Sequence, residues 1–204
     1  TFVQSSGNEL WDRTFYKTPS DLPVDDATRQ TLRDIFIFSA RPYVKTAVFL
    51  DTPHRGAETA DGWLGRLASA LITLPRAIKK VFGNMWLALT REDIKPAMRS
   101  YMRGGGPNSV DVLSPRHPLT QALNELPFSV PVYSVIGNAR LAQCTAVKNC
   151  ELQNDTVVPY ASAHLPQAKE EMLVQSAHNS YQSEQAIQFI SSILSRRSDA
   201  DHPR

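Results

Sequence analysis

Long apolar runs are missing from this chain. No stretch approaches the roughly 20 residues that a membrane-crossing helix needs, so no such span is expected. The opening, "TFVQSSGNELWDR", has neither a basic start nor an apolar core, and no secretory leader is expected in it. It also lacks an initiator methionine, so a natural start further upstream is expected. Charge of one sign is scarce: 22 Lys and Arg face 20 Asp and Glu, a net charge of +2. That balance gives no grounds for a nucleic-acid partner or for binding to strongly anionic membranes. Cysteine is nearly absent. Cys144 and Cys150 stand in "QCTAVKNC", where they are either two free thiols or a local disulfide. The compartment is therefore open, and a disulfide would place the protein in the periplasm, outside the cell or at a membrane. No second cysteine or histidine pair stands at a ligand spacing, so no metal is expected.

What is present suits an ordinary globular domain: 204 residues, 42% hydrophobic and 21% charged, without internal repeats. The first fifteen residues read as the tail of a helix. In "PSDLPVDDATRQTLRDIFIF" a helix is expected, capped by Asp25 or Asp26, with Leu32, Ile35 and Phe36 on one face. "VKTAVFLDTP" carries a near-continuous apolar run, as does "VPVYSVIGN" at 130–138. The first of these is expected to be a strand of a parallel sheet buried on both faces, and the second has the same character. "EMLVQSA" at 171–177 is a third, shorter candidate, and "SEQAIQFISSIL" at 183–194 a closing helix with Ile187, Ile190 and Leu194 in register. Strands alternating with helices give an α/β class with a mainly parallel sheet.

Between the first two strands, "WLGRLASALITLP" and "RAIKKVFGNMWLALT" are amphipathic, and the loop "RGGGPNS" follows. The glycines lack the Gly-Lys-Ser/Thr ending of a phosphate loop and read as a turn. The two segments are read either as helices packed over the sheet or as a cap on a substrate pocket with affinity for lipid interfaces.

Asp155, in "NDTVVPYASAH", follows the second strand, and His178, in "SAHNSY", follows the third almost at once. In open α/β sheets functional groups gather beyond the carboxyl ends of the strands. An acid followed by a histidine is the order of the last two triad members of an α/β-hydrolase. The histidine would move the nucleophile's proton, and the carboxylate would fix the imidazole tautomer and stabilise the imidazolium.

The motifs "AVFLDTPHRGA" at 47–57, "NSVDVLSPRHPLTQALNELP" at 108–127, "PVYSVIGN" at 131–138, "NDTVVPYASAHL" at 154–165 and "SAHNSYQ" at 176–182 carry a likeness. With them the chain resembles, over nearly its whole length, the bacterial lipase- and esterase-like α/β-hydrolases. The resemblance implies the α/β-hydrolase fold, Asp155 as triad acid and His178 as triad base. It implies three parts: core segments over 1–56 and 128–195, the latter with acid and histidine, and a helical cap over 57–127. Residues 196–204 form a polar tail. It also implies a serine nucleophile in a Gly-x-Ser-x-Gly elbow on the preceding strand. That pattern is absent from the 204 residues, and Ser5 and Ser6 lack its flanking glycines and preceding strand. The expectation is a C-terminal portion of a serine hydrolase, its nucleophile and oxyanion hole lying upstream, and inactive by itself.

Other side chains weigh less. His54 and Arg55, in "TPHRG", are expected to bond loop backbone; His164 is an alternative base read as structural; His117 and His202 are expected to face solvent. Asp51 is an alternative acid, ranked below Asp155 because the turn after it would use its hydrogen bonds locally. Asn154-Asp155-Thr156 matches a glycosylation acceptor by chance. The expected substrate is a small ester or lipid-like molecule, with no cofactor. Three rivals stand beside this reading. One is a non-catalytic binding module of the same fold, and another is half of a two-chain hydrolase, paired with its missing N-terminal half or with itself. The last-ranked is a metal site built from His54, His164 and His178.

Overall fold

The computed structural model describes residues 2–56, 88–99, 114–143 and 154–201, the side chains of the last helix as far as residue 196. Cys144, Cys150, the glycine loop, His202 and the amphipathic segments as far as residue 87 lie outside the described residues. The chain divides into two compact units, Thr1–Val44 with Arg55–Ser129, and Lys45–His54 with Val130–Arg204.

In the first unit the chain is not helical from its start: Gln4 forms a bridge with Phe128, and helix α1 covers only Glu9–Thr14. The expectation of a helix tail is corrected here. The backbone before Glu9 is committed to Phe128 and, through the Ser6 N–H, to the Phe38 carbonyl at 3.0 Å. Helix α2, Asp26–Phe36, starts where its cap predicts, with the Asp25 carboxylate accepting the Thr28 N–H at 2.9 Å. Leu32 and Phe36 are fully buried and Ile35 packs beside them. Helices α3 (Pro96–Arg99) and α4 (Pro118–Glu125) add Met98 and Ala122 to the same core, around Trp11, Phe15 and Phe36. Trp11 and Phe15 lie 4.5 Å apart, and Phe15 meets Phe36 edge-on at 5.3 Å.

His117 is not solvent-facing, contrary to expectation; it is fully buried. It stands at the N-cap of α4, where its Nδ1 accepts the Leu119 N–H at 3.2 Å. The first N–H groups of a helix have no partner inside it, and Pro118 at the first position brings none of its own. The imidazole is drawn in to satisfy one of them.

The second unit is a three-stranded parallel sheet in the order β1 (Ala47–Leu50), β2 (Val132–Gly137), β3 (Glu170–Val174). Register pairs Leu50 with Val135, and Val135 with Met172. Side chains alternate across the strands, so one face collects Val48, Leu50, Val135, Met172 and Val174. Ala186 and Phe189 of helix α6, Glu184–Asp201, cover that face. The other face presents Ile136 and Leu173 to Val158 and to Ala163 of the short helix α5, Tyr160–Ala163.

Only β2 is buried at every position; β1 is half-buried throughout, where burial on both faces was expected. It is an edge strand, paired with β2 along one side and with no further strand among the described residues. The face expected of α6 is corrected as well. Ile187 and Leu194 are exposed, whereas Ala186 and Ile193 are buried. The inward line runs through 186, 189, 190 and 193, because small Ala186 lets the helix approach the sheet. Ile193→Ala is therefore expected to cost about 2–4 kcal/mol. Leu194→Ala should cost less than about 0.5 kcal/mol, read by chemical denaturation of the two variants.

Candidate active site

The three strands run parallel, so their carboxyl ends lie at one edge of the sheet, and polar side chains concentrate there. Asp51 follows β1, Gly137 closes β2 with Asn138 after it, and the segment Ser176–Ser180 follows β3. Asn138 N–H reaches the Val174 carbonyl at 2.9 Å, and the Asn138 carbonyl takes the Ser176 N–H at 3.3 Å. The loop carrying Asp155 joins through Ala139, whose N–H donates to the Asn154 carbonyl at 3.0 Å.

Asp155 is 1% exposed. Its Oδ1 accepts the N–H groups of Val157 at 2.8 Å and Val158 at 2.5 Å. The turn that folds these donors back onto the carboxylate passes through Thr156 at φ +76°, a left-handed conformation that a β-branched residue adopts only at a cost. Anchored on one oxygen, the carboxylate turns the other, Oδ2, to Nδ1 of His178 at 2.6 Å. The imidazole itself is 35% exposed at the side chain. With Nδ1 protonated and donating to Asp155, Nε2 is the nitrogen left to exchange a proton with another group.

The hydrogen bond to Asp155 raises the His178 pKa above its ordinary 6.5; partial burial works against this, and the charges of Asp155 and Asp51 add to it. Gly137 makes the approach of the two segments sterically available. A Cβ there would lie 2.8 Å from the Ala177 carbonyl oxygen, 3.0 Å from Ser176 Oγ and 3.1 Å from the Asp155 Cβ.

Asp155 and His178, singled out in the sequence, are thus brought together. Asp51 joins them, and the expectation that its hydrogen bonds stay local is corrected: its carboxylate accepts N–H groups from Gly137 and Ser180, 86 and 129 residues away. His164 lies apart from them, at the C-cap of α5. Its Nδ1 is 2.9 Å from Glu171 and its ring stacks on Tyr160, whose hydroxyl donates to the same Glu171 at 2.8 Å. His54 packs edge-on against Phe49 at 4.7 Å, and Arg55 is exposed. Gly137, Asn138 and Ser180 complete the site without being expected there; the Gly-Asn ending of β2 is the local signal for the first two, and Ser180 carries none.

Asp51, Asp155 and His178 have ligand-type atoms within 4.8 Å of one another. The carboxylate oxygens already accept four main-chain N–H groups and the imidazole. This donor set fits a hydrogen-bonded acid–histidine pair better than a metal centre.

Two outcomes are expected. Gly137→Ala should destabilise the protein by about 1–3 kcal/mol in denaturant melts, because main-chain and Asp155 atoms must shift. The raised folded pKa of His178 gives a stability contribution that is complete below its ordinary value of 6.5 and lost as pH rises through the folded value. The gap in melting temperature between the unaltered protein and His178→Gln should accordingly be widest below pH 6.5 and shrink as pH rises through the folded value.

No protein-family model, curated protein or solved structure matches this chain.

Proposed function

We propose that Asp155 and His178 are the acid and base of a serine ester hydrolase of the α/β-hydrolase class. The serine would come from a polypeptide segment preceding Thr1, since the 204 residues contain no Gly-x-Ser-x-Gly elbow. The observation that carries the reading is the 2.6 Å contact between a fully buried carboxylate and a histidine whose ring is partly open to solvent. Ring exposure by itself does not set the pair apart, since His164 is 40% exposed beside Glu171; the buried, doubly anchored carboxylate at the carboxyl edge of the sheet does. A catalytic base needs one nitrogen held and the other available.

In this mechanism Nε2 of His178 takes the proton of the serine hydroxyl as the oxygen bonds to the ester carbonyl carbon. The tetrahedral adduct collapses, the C–O bond to the alcohol breaks, and the imidazolium returns the proton to the departing alkoxide. Water then repeats both steps on the acyl-serine and releases the carboxylic acid. Asp155 holds the tautomer and faces the imidazolium throughout, and no metal or organic cofactor is required. The amphipathic segments at 63–90 favour an apolar, lipid-like acyl group and contact with a lipid interface.

The test is to read the coding sequence upstream of Thr1 and assay the joined polypeptide on p-nitrophenyl esters. An elbow serine should be present, and a fluorophosphonate probe should label it. The 204 residues alone should neither label nor turn over substrate. In the joined protein His178→Ala should lower kcat/KM by at least about 10³-fold and Asp155→Asn by about 10⁴-fold. Neutral His178 is the active form, so the acid limb of the rate profile should lie above pH 6.5. Undiminished hydrolysis by His178→Ala, or no serine elbow in the natural polypeptide, would sink the reading. The second result would leave a binding module or a two-chain site.

A further inference from the structure

Asp51 is a buried carboxylate that the hydrolytic steps do not use. It is 5% exposed and sits in the left-handed region at φ +48°, a conformation that Asp tolerates better than most residues. Its own N–H continues the ladder to the Val135 carbonyl at 3.0 Å. Its side chain then leaves the strand: Oδ1 accepts the Gly137 N–H at 2.7 Å, and Oδ2 accepts the Ser180 N–H at 3.0 Å. Gly137 is the residue against which Asp155 and Ala177 pack, and Ser180 comes two residues after His178. One carboxylate therefore bridges the end of the central strand and the turn that holds the histidine.

We propose that Asp51 is a positioning residue for the acid–histidine pair: it clamps the main chain beside Asp155 and beyond His178, and sets a second negative charge next to the imidazole. Charge-assisted hydrogen bonds from main-chain N–H groups are the strong kind, and here they join three strand ends that lie far apart along the chain. The loop bearing His178 meets the end of β2 through the Ser176 N–H and the Asp155 loop through the imidazole itself. Asn179 N–H bonds the Ala177 carbonyl at 2.6 Å and Gln182 N–H the Asn179 carbonyl at 2.9 Å, both inside the turn, so Ser180 is its tie to β1. The charged groups that act on the imidazole are Asp155 by direct hydrogen bond and Asp51 through space. Asp51 therefore favours the imidazolium that forms during proton transfer as well as the geometry that forms it.

The proposal rests on the reading of His178 and Asp155 as the acid–base pair, yet its test needs no turnover. In the full 204-residue chain, the His178 ring is titrated by NMR and amide exchange is followed at Gly137 and Ser180. Asp51→Asn keeps the size and removes the charge, and its NH₂ group faces a main-chain donor. The His178 midpoint should fall, though less than in Asp155→Asn, and the Gly137 and Ser180 amides should exchange at least about tenfold faster while Val135 is unchanged. The Ser180 hydroxyl is fully buried without a hydrogen-bond partner among the described residues, so Ser180→Ala keeps the N–H and should move neither readout.

A purely structural role for Asp51 would speed exchange without shifting the imidazole, and that result overturns the proposal. So does an unchanged amide pattern. If Asp51→Asn does not fold, Asp51→Ser must give the same two changes. In the unaltered chain, coupling across the hydrogen bonds from the Asp51 carboxyl carbon to the Gly137 and Ser180 nitrogens must also be seen, and its absence overturns the clamp. Loss of the clamp would leave the hydrolase reading standing, and failure of the elbow test would leave the clamp intact.

Discussion

A carboxylate taken out of water must be given hydrogen bonds or lose its charge, and the carboxyl edge of this sheet is arranged around meeting that demand twice. Asp155 and Asp51 are both buried, and between them they accept four main-chain N–H groups. The donors come from the loop after Asp155, from the end of β2 and from the turn after His178. Satisfying the two acids therefore draws together chain segments far apart in sequence, and the histidine is carried with them.

The arrangement has a conformational cost, concentrated at the acids. Among the described residues, the non-glycine positions with left-handed backbone are Asp51 itself and Thr156, next to Asp155. Such residues persist where the surroundings over-determine them, and they gather at functional sites. Gly137 belongs to the same economy of space. Its missing side chain lets the Asp155 loop and the Ala177 carbonyl close over the end of β2. Beneath this edge the sheet is an ordinary alternating sandwich, with α6 on one face and α5 on the other.

Two histidine–acid pairs occur in this unit, and their surroundings separate them. His178 faces an aspartate that is 1% exposed and fixed by two main-chain donors, so the carboxylate has one orientation to offer. His164 meets Glu171 near the amino end of β3, where the glutamate is 19% exposed and shared with the Tyr160 hydroxyl. The second pair fastens α5 to the strand. The first sits at the carboxyl edge, where an open α/β sheet presents its chemistry.

The sequence by itself determined the elements whose signal is local. Near-continuous apolar runs marked two strands and a shorter stretch the third, Asp25 announced the start of α2, and the order of Asp155 and His178 after successive strands marked the pair. These depend on neighbours within a few residues, where periodicity and capping act. The tertiary structure decided what depends on distant neighbours. Ala186 and Ile193, not Ile187 and Leu194, face the sheet, because the choice between adjoining apolar stripes is made by the surface they meet. His117 is buried because the N-terminus of α4 needed an acceptor there. Asp51 bonds to Gly137 and Ser180 because the parallel register brings the strand ends together, and no pattern along the chain encodes a contact across 86 or 129 residues.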